Sequence, residues 1–430
     1  MNGRLAVVAV LALTLTLSAC GGGNQPTSAT ISTSRLEVVS WWTSSSEAKA
    51  LGVLFAAFRD SNPGVHAINA AIPGGAGSNA IVALAKRLQR NDPPDVWQTF
   101  AGKSLQAYAS NGVVRSVASI FAREHLRTEM NATILQSLMY DGQPYGVPTG
   151  AHRSNVLFFN LKLLAKAGVA PPSNHTTLGE FLTDLKKVRA SGAVPLCLGA
   201  RDPFTTVELF ENTLLSTIGP SGWRDVVGDH FDWRGNQART ALSRFGDVLD
   251  YADPEGSGLT WDQATRKLAA GGCAFESMND SAFGELTADG AKDGRDFGVT
   301  TFPGTNGSFL AVVDVFVAAT RAKDARNALA FLSDIDEPST QLAFHQAKGS
   351  IPVVRDVDVS SLSAYQRATA AAFWTSPVLL SIAHGEGVSP QFEEGFYDAV
   401  SDYVSTRSAD AFASQLENTV NGNRIPGAAP

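Results

Sequence analysis

The sequence predicts an α/β fold in two lobes, and three observations carry that prediction. The chain has 430 residues, more than one hydrophobic core normally supports even after removal of an N-terminal leader. Between Leu36 and Thr99 the patterns alternate strand, helix, strand, helix, strand, the order that builds a sheet with parallel members. Strand and helix patterns then continue beyond residue 330 without an internal repeat.

The leader comes first. Arg4 precedes an apolar run, Leu5 to Leu17, that ends in Leu17-Ser18-Ala19-Cys20 and three glycines. A bilayer core of ~30 Å needs about 20 helical residues, so the run is too short to span and fits a signal peptide. The tetrapeptide is a bacterial lipoprotein cleavage box. Residues 1–19 are therefore expected to be a lipoprotein signal peptide, Cys20 the lipid-bearing first residue, and residues 20–35, small and polar, a flexible tether. The alternative is an ordinary secretory signal followed by a chance cysteine.

Leu36 to Trp42 reads as the first strand, β-branched and apolar, ending in two adjacent tryptophans. Ser44 and Glu47 are spaced as a capping box, and Leu51, Leu54, Phe55 and Phe58 make one apolar helix face before Asn62-Pro63-Gly64 stops it. A second strand, 65–72, leads through Gly74-Gly75-Ala76-Gly77-Ser78 into a helix near 80–90, and a third strand occupies 95–99. The glycine loop matches neither GxxxxGK[ST] nor GxGxxG, so it reads as a tight turn rather than a phosphate cradle. A helical stretch runs to about Tyr140; strands follow near 145–148, 156–160, 195–198, 297–301 and 310–319, and a helix near 324–334.

A formal charge of −7 and the absence of a basic run exclude nucleic acid as a partner. There is no HExxH, no closely spaced Cys/His set and no GxSxG elbow, so no metal or cofactor is expected and serine hydrolysis has no local signature. A pair of glycosidase carboxylates stays open, since 41 acidic residues supply many candidates. With Cys20 given to lipid, Cys197 and Cys273 remain; in an oxidising exterior they form a disulfide or stand as buried thiols.

Trp41 and Trp42 are the most informative pair. Ligands of open α/β sheets sit outside the carboxyl ends of strands, and an indole there offers a flat apolar face to sugar C–H groups. Neighbouring strand residues point to opposite faces, so at most one indole is expected to face a ligand with the other in the core; the alternative is that both are simply packed.

The runs LEVVSWWTSSSEAKALGVLFAAFRDSNPGV, NDPPDVWQTFAG, YDGQPYGVPTGAHRSNVLFFN, FPGTNGSFLAVVDVFV, KGSIPVVRDVD and SIAHG resemble, in order and spacing, the sugar-binding lipoproteins of ABC importers. The likeness is to the glucose/mannose-binding branch of the maltodextrin-binding-protein-like solute-binding proteins of family 1. It implies a two-lobed periplasmic-binding-protein-like fold, each lobe a mainly parallel sheet flanked by helices, with a ligand cleft between the lobes. The N-terminal lobe would comprise 36–148 plus 312–365 and the C-terminal lobe 149–311 plus 366–430. By position, Trp41 and Trp42 would stack on or wall the sugar and Glu47 would accept hydroxyl hydrogen bonds. Gln98, His152, Phe204, Asp280, Asp314 and His384 would complete the cleft. The chain departs from the branch at Phe100 and Ala101, where a lysine is frequent, at Phe204-Thr205, where tryptophan and glutamine stand, and at Ser281, where a tryptophan stands.

The resemblance thus implies a non-enzymatic, monomeric receptor, anchored by its N-terminal lipid on the outer face of the cytoplasmic membrane or in the periplasm. It would bind a neutral mono- or small oligosaccharide and deliver it to ABC permease subunits. Two other readings remain: a binding protein for a polyol or glycerophosphodiester, and a lipid-anchored glycoside hydrolase.

Overall fold

The computed structural model describes residues 34–422, so the expected signal peptide, Cys20 and nearly all of the 20–35 tether lie outside the described residues. β1 (Arg35–Val39) buries Leu36, Val38 and Val39 and delivers the chain to Ser40 and the two tryptophans. α1 (Ser45–Ser61) follows, with Leu51, Leu54, Phe55 and Phe58 buried as their spacing requires. The expected capping box is absent. Ser44 makes no side-chain cap bond, and Glu47 stands 3.5 Å from the ammonium of Lys348.

β2 (His66–Asn69), α2 (Ser78–Gln89) and β3 (Val96–Phe100) complete the expected alternation. β4 (Met139–Tyr140) and β5 (Gln143–Pro144) form a small hairpin. Then come β6 (Val147–Arg153), β7 (Val156–Asn160), β8 (Leu196–Cys197), α3 (Pro203–Val227), α4 (Trp261–Ala269), β9 (Phe275–Ser277), α5 (Ser281–Ala288), β10 (Phe297–Thr301) and β11 (Phe309–Ala318). α6 (Pro338–Lys348), α7 (Ala364–Thr375) and β12 (Val378–Leu380) follow, and two helices, Pro390–Thr406 and Ala409–Gly422, end the described chain.

Two main sheets result, one in the order β12-β11-β3-β1-β2 with β6 also on β11, the other β10-β7-β9-β8. The α/β architecture is the expected one; the first sheet is parallel in three of its five pairings, β11 with β12 included, whereas the second is mainly antiparallel where a mainly parallel one was expected. β1, β2 and β3 are parallel, and so are β8 and β9, each pair joined through helices. The antiparallel ladders belong to strands that arrive from the other sheet: β7 runs against β9 and β10, and β11 against β3 and β6. Such a strand needs no crossover helix within its own sheet, so nothing forces it parallel.

Each sheet has its own core. The first gathers β1, β3, β11 and α1 with Phe331 and Phe344; the second gathers Leu157, Phe181, Phe210, Phe245, Phe275 and Phe396. The chain passes between them from Arg153 to Val156 and again from Thr301 to Phe309. α7 sends Ala370 and Phe373 into the first core, whereas Leu379 and Ile382 belong to the second. Cys197 and Cys273 are joined as a disulfide with Cα atoms 5.6 Å apart, both buried.

Candidate ligand-binding site

Between the two sheets, just past the carboxyl ends of β1 and β3, lies a cavity of about 30 Å³ lined by Trp41, Trp42, Phe100 and Asp314 from one side and Phe204, Asn279 and His384 from the other. That space holds about two waters. A second cavity of about 230 Å³ adjoins it, sharing Trp41, Glu47, Ala76 and Trp261 with the first. Together they form a narrow cleft in a closed arrangement.

The two indoles differ in support. Trp42 packs against Phe316 and Phe344, with ring centroids 5.5 and 5.3 Å away, and so belongs to the first core as well as the wall. Trp41 touches Phe100 at 5.0 Å and borders both cavities. Of the pair, Trp41 is the one with a face to offer.

Polar groups surround them in a connected set. Glu47 is buried; burial pushes its carboxyl above the ordinary range, and the Lys348 ammonium opposes that. Lys348 Nζ also donates to Ser281 Oγ at 2.9 Å and lies 5.4 Å from the Trp42 ring. The Gln98 amide donates to Asp314 Oδ1 at 2.7 Å while its oxygen accepts from Ser40 Oγ at 2.6 Å, so Gln98 fixes Asp314 from below. His152 Nδ1 meets Asp280 Oδ1 at 2.5 Å, and its Nε2 lies 3.6 Å from Asp314 Oδ2. Burial disfavours both charged forms: it keeps the imidazole neutral, well below its ordinary range, and pushes the Asp280 carboxyl up to about 7. Tyr365 donates to the other Asp280 oxygen at 3.3 Å.

The second-sheet side is built on buried carboxylates. Glu211 accepts from Ser154 Oγ, Ser381 Oγ and the backbone N–H groups of Ile382 and Ala383, all at 3.0–3.1 Å. Burial raises its pKa to about 7. This fixes the loop that carries His384, whose Nδ1 lies 3.0 Å from Ser381 Oγ and whose ring sits edge-on to Phe100 and Phe204. Burial holds His384 neutral, its pKa down at about 3. Asn279 is held by Glu208 Oε2 at 3.0 Å.

Direct bonds close the mouth. Asp202 Oδ1 accepts from the Gly75 N–H at 3.3 Å and its Oδ2 from the Trp261 N–H at 2.9 Å. A Cβ at residue 75 would stand 2.6 Å from Phe204, so only glycine lets the loop approach so closely. Nearby, Ser46 donates to Glu285 Oε1 through its N–H at 2.8 Å and its hydroxyl at 2.6 Å.

Of the residues expected at the site, Trp41, Trp42, Glu47, His152, Phe204, Asp314 and His384 line the inner cavity. Gln98 and Asp280 do not: each stands one layer behind, holding Asp314 and His152. Strand and loop patterns give their positions but not which way a buried side chain turns. Sequence reasoning missed Lys348, Trp261, Asn279 and Ser281 as wall residues. Lys348 had a signal, the KGSIPV run, and it supplies the cation whose absence at Phe100 and Ala101 had stood out. Trp261, at the start of α4, brings an indole to a site where Phe204 and Ser281 replace two. Among the described residues, no group of three or more His, Cys, Asp or Glu is placed to hold a metal ion.

A family model described as bacterial extracellular solute-binding protein matches residues 54–372. The uncharacterized ABC transporter extracellular-binding protein of Pyrococcus horikoshii is 27% identical over 98% of this chain and 96% of its own length. A protein of Mesorhizobium japonicum named a probable sugar-binding periplasmic protein is 27% identical over 90% of this chain and 93% of its own. Among solved structures, a chitin oligosaccharide binding protein superposes with a TM-score of 0.79 at 18% identity, covering 91% of this chain and 99% of that one.

Proposed function

The chain belongs to the bacterial extracellular solute-binding proteins, and we propose that it is a non-enzymatic receptor that takes a neutral carbohydrate into the inter-sheet cleft and delivers it to an ABC permease. The observation that carries the reading is the wall chemistry: the Trp41 and Trp261 indoles border a cleft that also presents Glu47, Asp314, Asn279 and Lys348. Flat apolar faces beside acceptors and donors suit a ring with C–H faces and equatorial hydroxyls. The names of the relatives, an ABC transporter binding protein and a sugar-binding protein, support it.

Ligand sites of this kind occupy about 300–1,000 Å³. The inner cavity is far smaller, so entry requires the walls to part and binding to draw them together. The moving bodies in this reading are the expected lobes with the first two boundaries moved to the connections at Arg153–Val156 and Thr301–Phe309, since β6 and β11 belong to the first sheet. Phe373, packed in the first core, draws the third connection on to β12, which pairs with β11 in the first sheet while its Leu379 packs in the second core. Lys348 raises the reading of a phosphate-bearing ligand, but Glu47 stands 3.5 Å from that ammonium and Asp314 faces the same cavity. A dianion would meet two carboxylates there, which favours the neutral ligand.

The test is a thermal-shift screen of monosaccharides, disaccharides, polyols and glycerophosphodiesters. A ligand at 100 times its dissociation constant adds about 2.7 kcal/mol. A shift with a sugar and none with a phosphodiester supports the reading; the converse replaces it. We further propose a lipid anchor at Cys20 on a monomeric chain. Cys20→Ala is expected to release the protein from membranes with ligand affinity unchanged, which fractionation and titration check.

A further inference from the structure

His152 and Arg153 are neighbours on β6, so their side chains leave opposite faces of the strand. His152 faces the cleft. Arg153 lines a separate cavity of about 280 Å³ on the other side, with Val299, Thr300 and Thr301 of β10, Asn306, and Tyr365 and Ala368 of α7. Arg153 is only 8% exposed. Its Nε donates to Asn155 Oδ1 at 3.2 Å and one Nη to the Ser308 carbonyl at 2.6 Å, both neutral. Among the described residues the other Nη has no protein acceptor and no carboxylate lies at ion-pair distance.

A buried guanidinium without a counter-charge is costly, and burial pulls its pKa below the ordinary range. The nearest acid, Asp280, is already engaged by His152 and Tyr365. The cavity offers what a small anion requires: a planar donor fork, amide side chains at Asn174 and Asn306, and no acidic lining residue.

We propose that this cavity behind β6 is a binding site for a small oxyanion, a phosphate or a carboxylate, held by the Arg153 guanidinium. The occupant would touch α7, which packs on the first core, and β10 of the second sheet. It therefore sits where the two cores meet, opposite the cleft.

Calorimetric titration of the full chain with sodium phosphate and, separately, sodium acetate, against sodium chloride at equal ionic strength, tests this. Saturable one-site binding of at least one anion is expected, weakened tenfold or more by Arg153→Gln. Tighter phosphate marks a tetrahedral oxyanion as the occupant, tighter acetate a carboxylate. Ala368→Trp fills the cavity from its exposed edge while leaving the guanidinium in place, is expected to weaken binding equally, and carries the test should Arg153→Gln fail to fold. Absence of saturation with both anions up to about 50 mM overturns the proposal. So does binding that survives Ala368→Trp, which would place the anion elsewhere. No sugar enters the measurement, so its failure leaves the receptor reading standing.

Discussion

On the first-sheet side of the cleft, Glu47, Asp314 and Lys348 bring charge to the cavity itself; on the other side the cavity meets Phe204, Asn279, Ser281 and His384, and the carboxylates of Glu208, Glu211 and Asp280 stand one layer behind. The first wall presents ionisable side chains beside two indoles. The second presents neutral groups whose orientation depends on buried acids with raised pKa values. Substitutions on the first wall should therefore read out mainly as affinity, and those behind the second mainly as stability and pH response.

The largest effect is expected behind the second wall. Glu211→Ala leaves two backbone N–H groups and the Ser154 and Ser381 hydroxyls without their acceptor in a dry interior. A loss of about 3 kcal/mol or more in urea unfolding is expected, with Glu211→Gln losing less because its oxygen still accepts. Equal losses for both variants would mean that one remaining acceptor oxygen contributes nothing, so that the loop depends on both carboxylate oxygens together.

The first wall should separate its two indoles. Trp41→Ala is expected to cost about 2 kcal/mol of ligand affinity, roughly thirtyfold, with the fold intact. Trp42→Ala removes a ring wedged between Phe316 and Phe344 and should lose about 3 kcal/mol of stability as well. If Trp41→Ala binds normally while Trp42→Ala does not, the roles of the two are exchanged.

This division was partly legible in the sequence. Trp41, Trp42 and Glu47 lie within one strand-to-helix junction, where strand pattern and helix period place side chains within a few residues. Asp314 and His384 came only through resemblance, and the structure brings them to the same cavity from β11 and from the loop after β12. Gln98 and Asp280 were expected on the wall, yet each has a buried partner that turns it away. Lys348 and Trp261 stand more than 200 residues from the first strand, and no local period reports that α6 and α4 end at the same cavity. The mixed sheets escaped the reading because strand direction depends on where the chain re-enters, not on the strand itself.

The pH response should belong to the buried acids. Glu276 is held neutral up to about 8 by burial, against an ordinary 4.5, so between those values the folded state keeps a proton that the unfolded chain has lost. Its contribution to stability is full below 4.5 and gone above about 8. Asp280, Glu211 and Glu393, each raised to about 7, act in the same sense. The buried neutral histidines 152, 345 and 384 act oppositely, but only below their ordinary 6.5. Above pH 6.5 the acids stand alone, so unfolding free energy should fall as pH rises from 6.5 to 8. Glu276→Gln should flatten that slope by up to ~1.4 kcal/mol per pH unit. A wild-type slope of zero or of opposite sign would remove the buried acids from the account.

The smallest effect tests the bonds that bridge the walls. Asp202 holds the Gly75 N–H from one side and the Trp261 N–H from the other, so it ties the loop before α2 to the start of α4 across the cleft mouth. Asp202→Asn keeps one acceptor oxygen but cannot serve both N–H groups as well. One neutral hydrogen bond is worth about 1 kcal/mol, so a fewfold loss of ligand affinity is expected. Because the bridge forms only when the walls are together, the loss should fall on dissociation rather than association, as stopped-flow rates would show. A slower association with unchanged dissociation would instead make Asp202 part of the open entrance. In that case the closing contacts would rest on the Ser46 bonds to Glu285, which join α1 to α5.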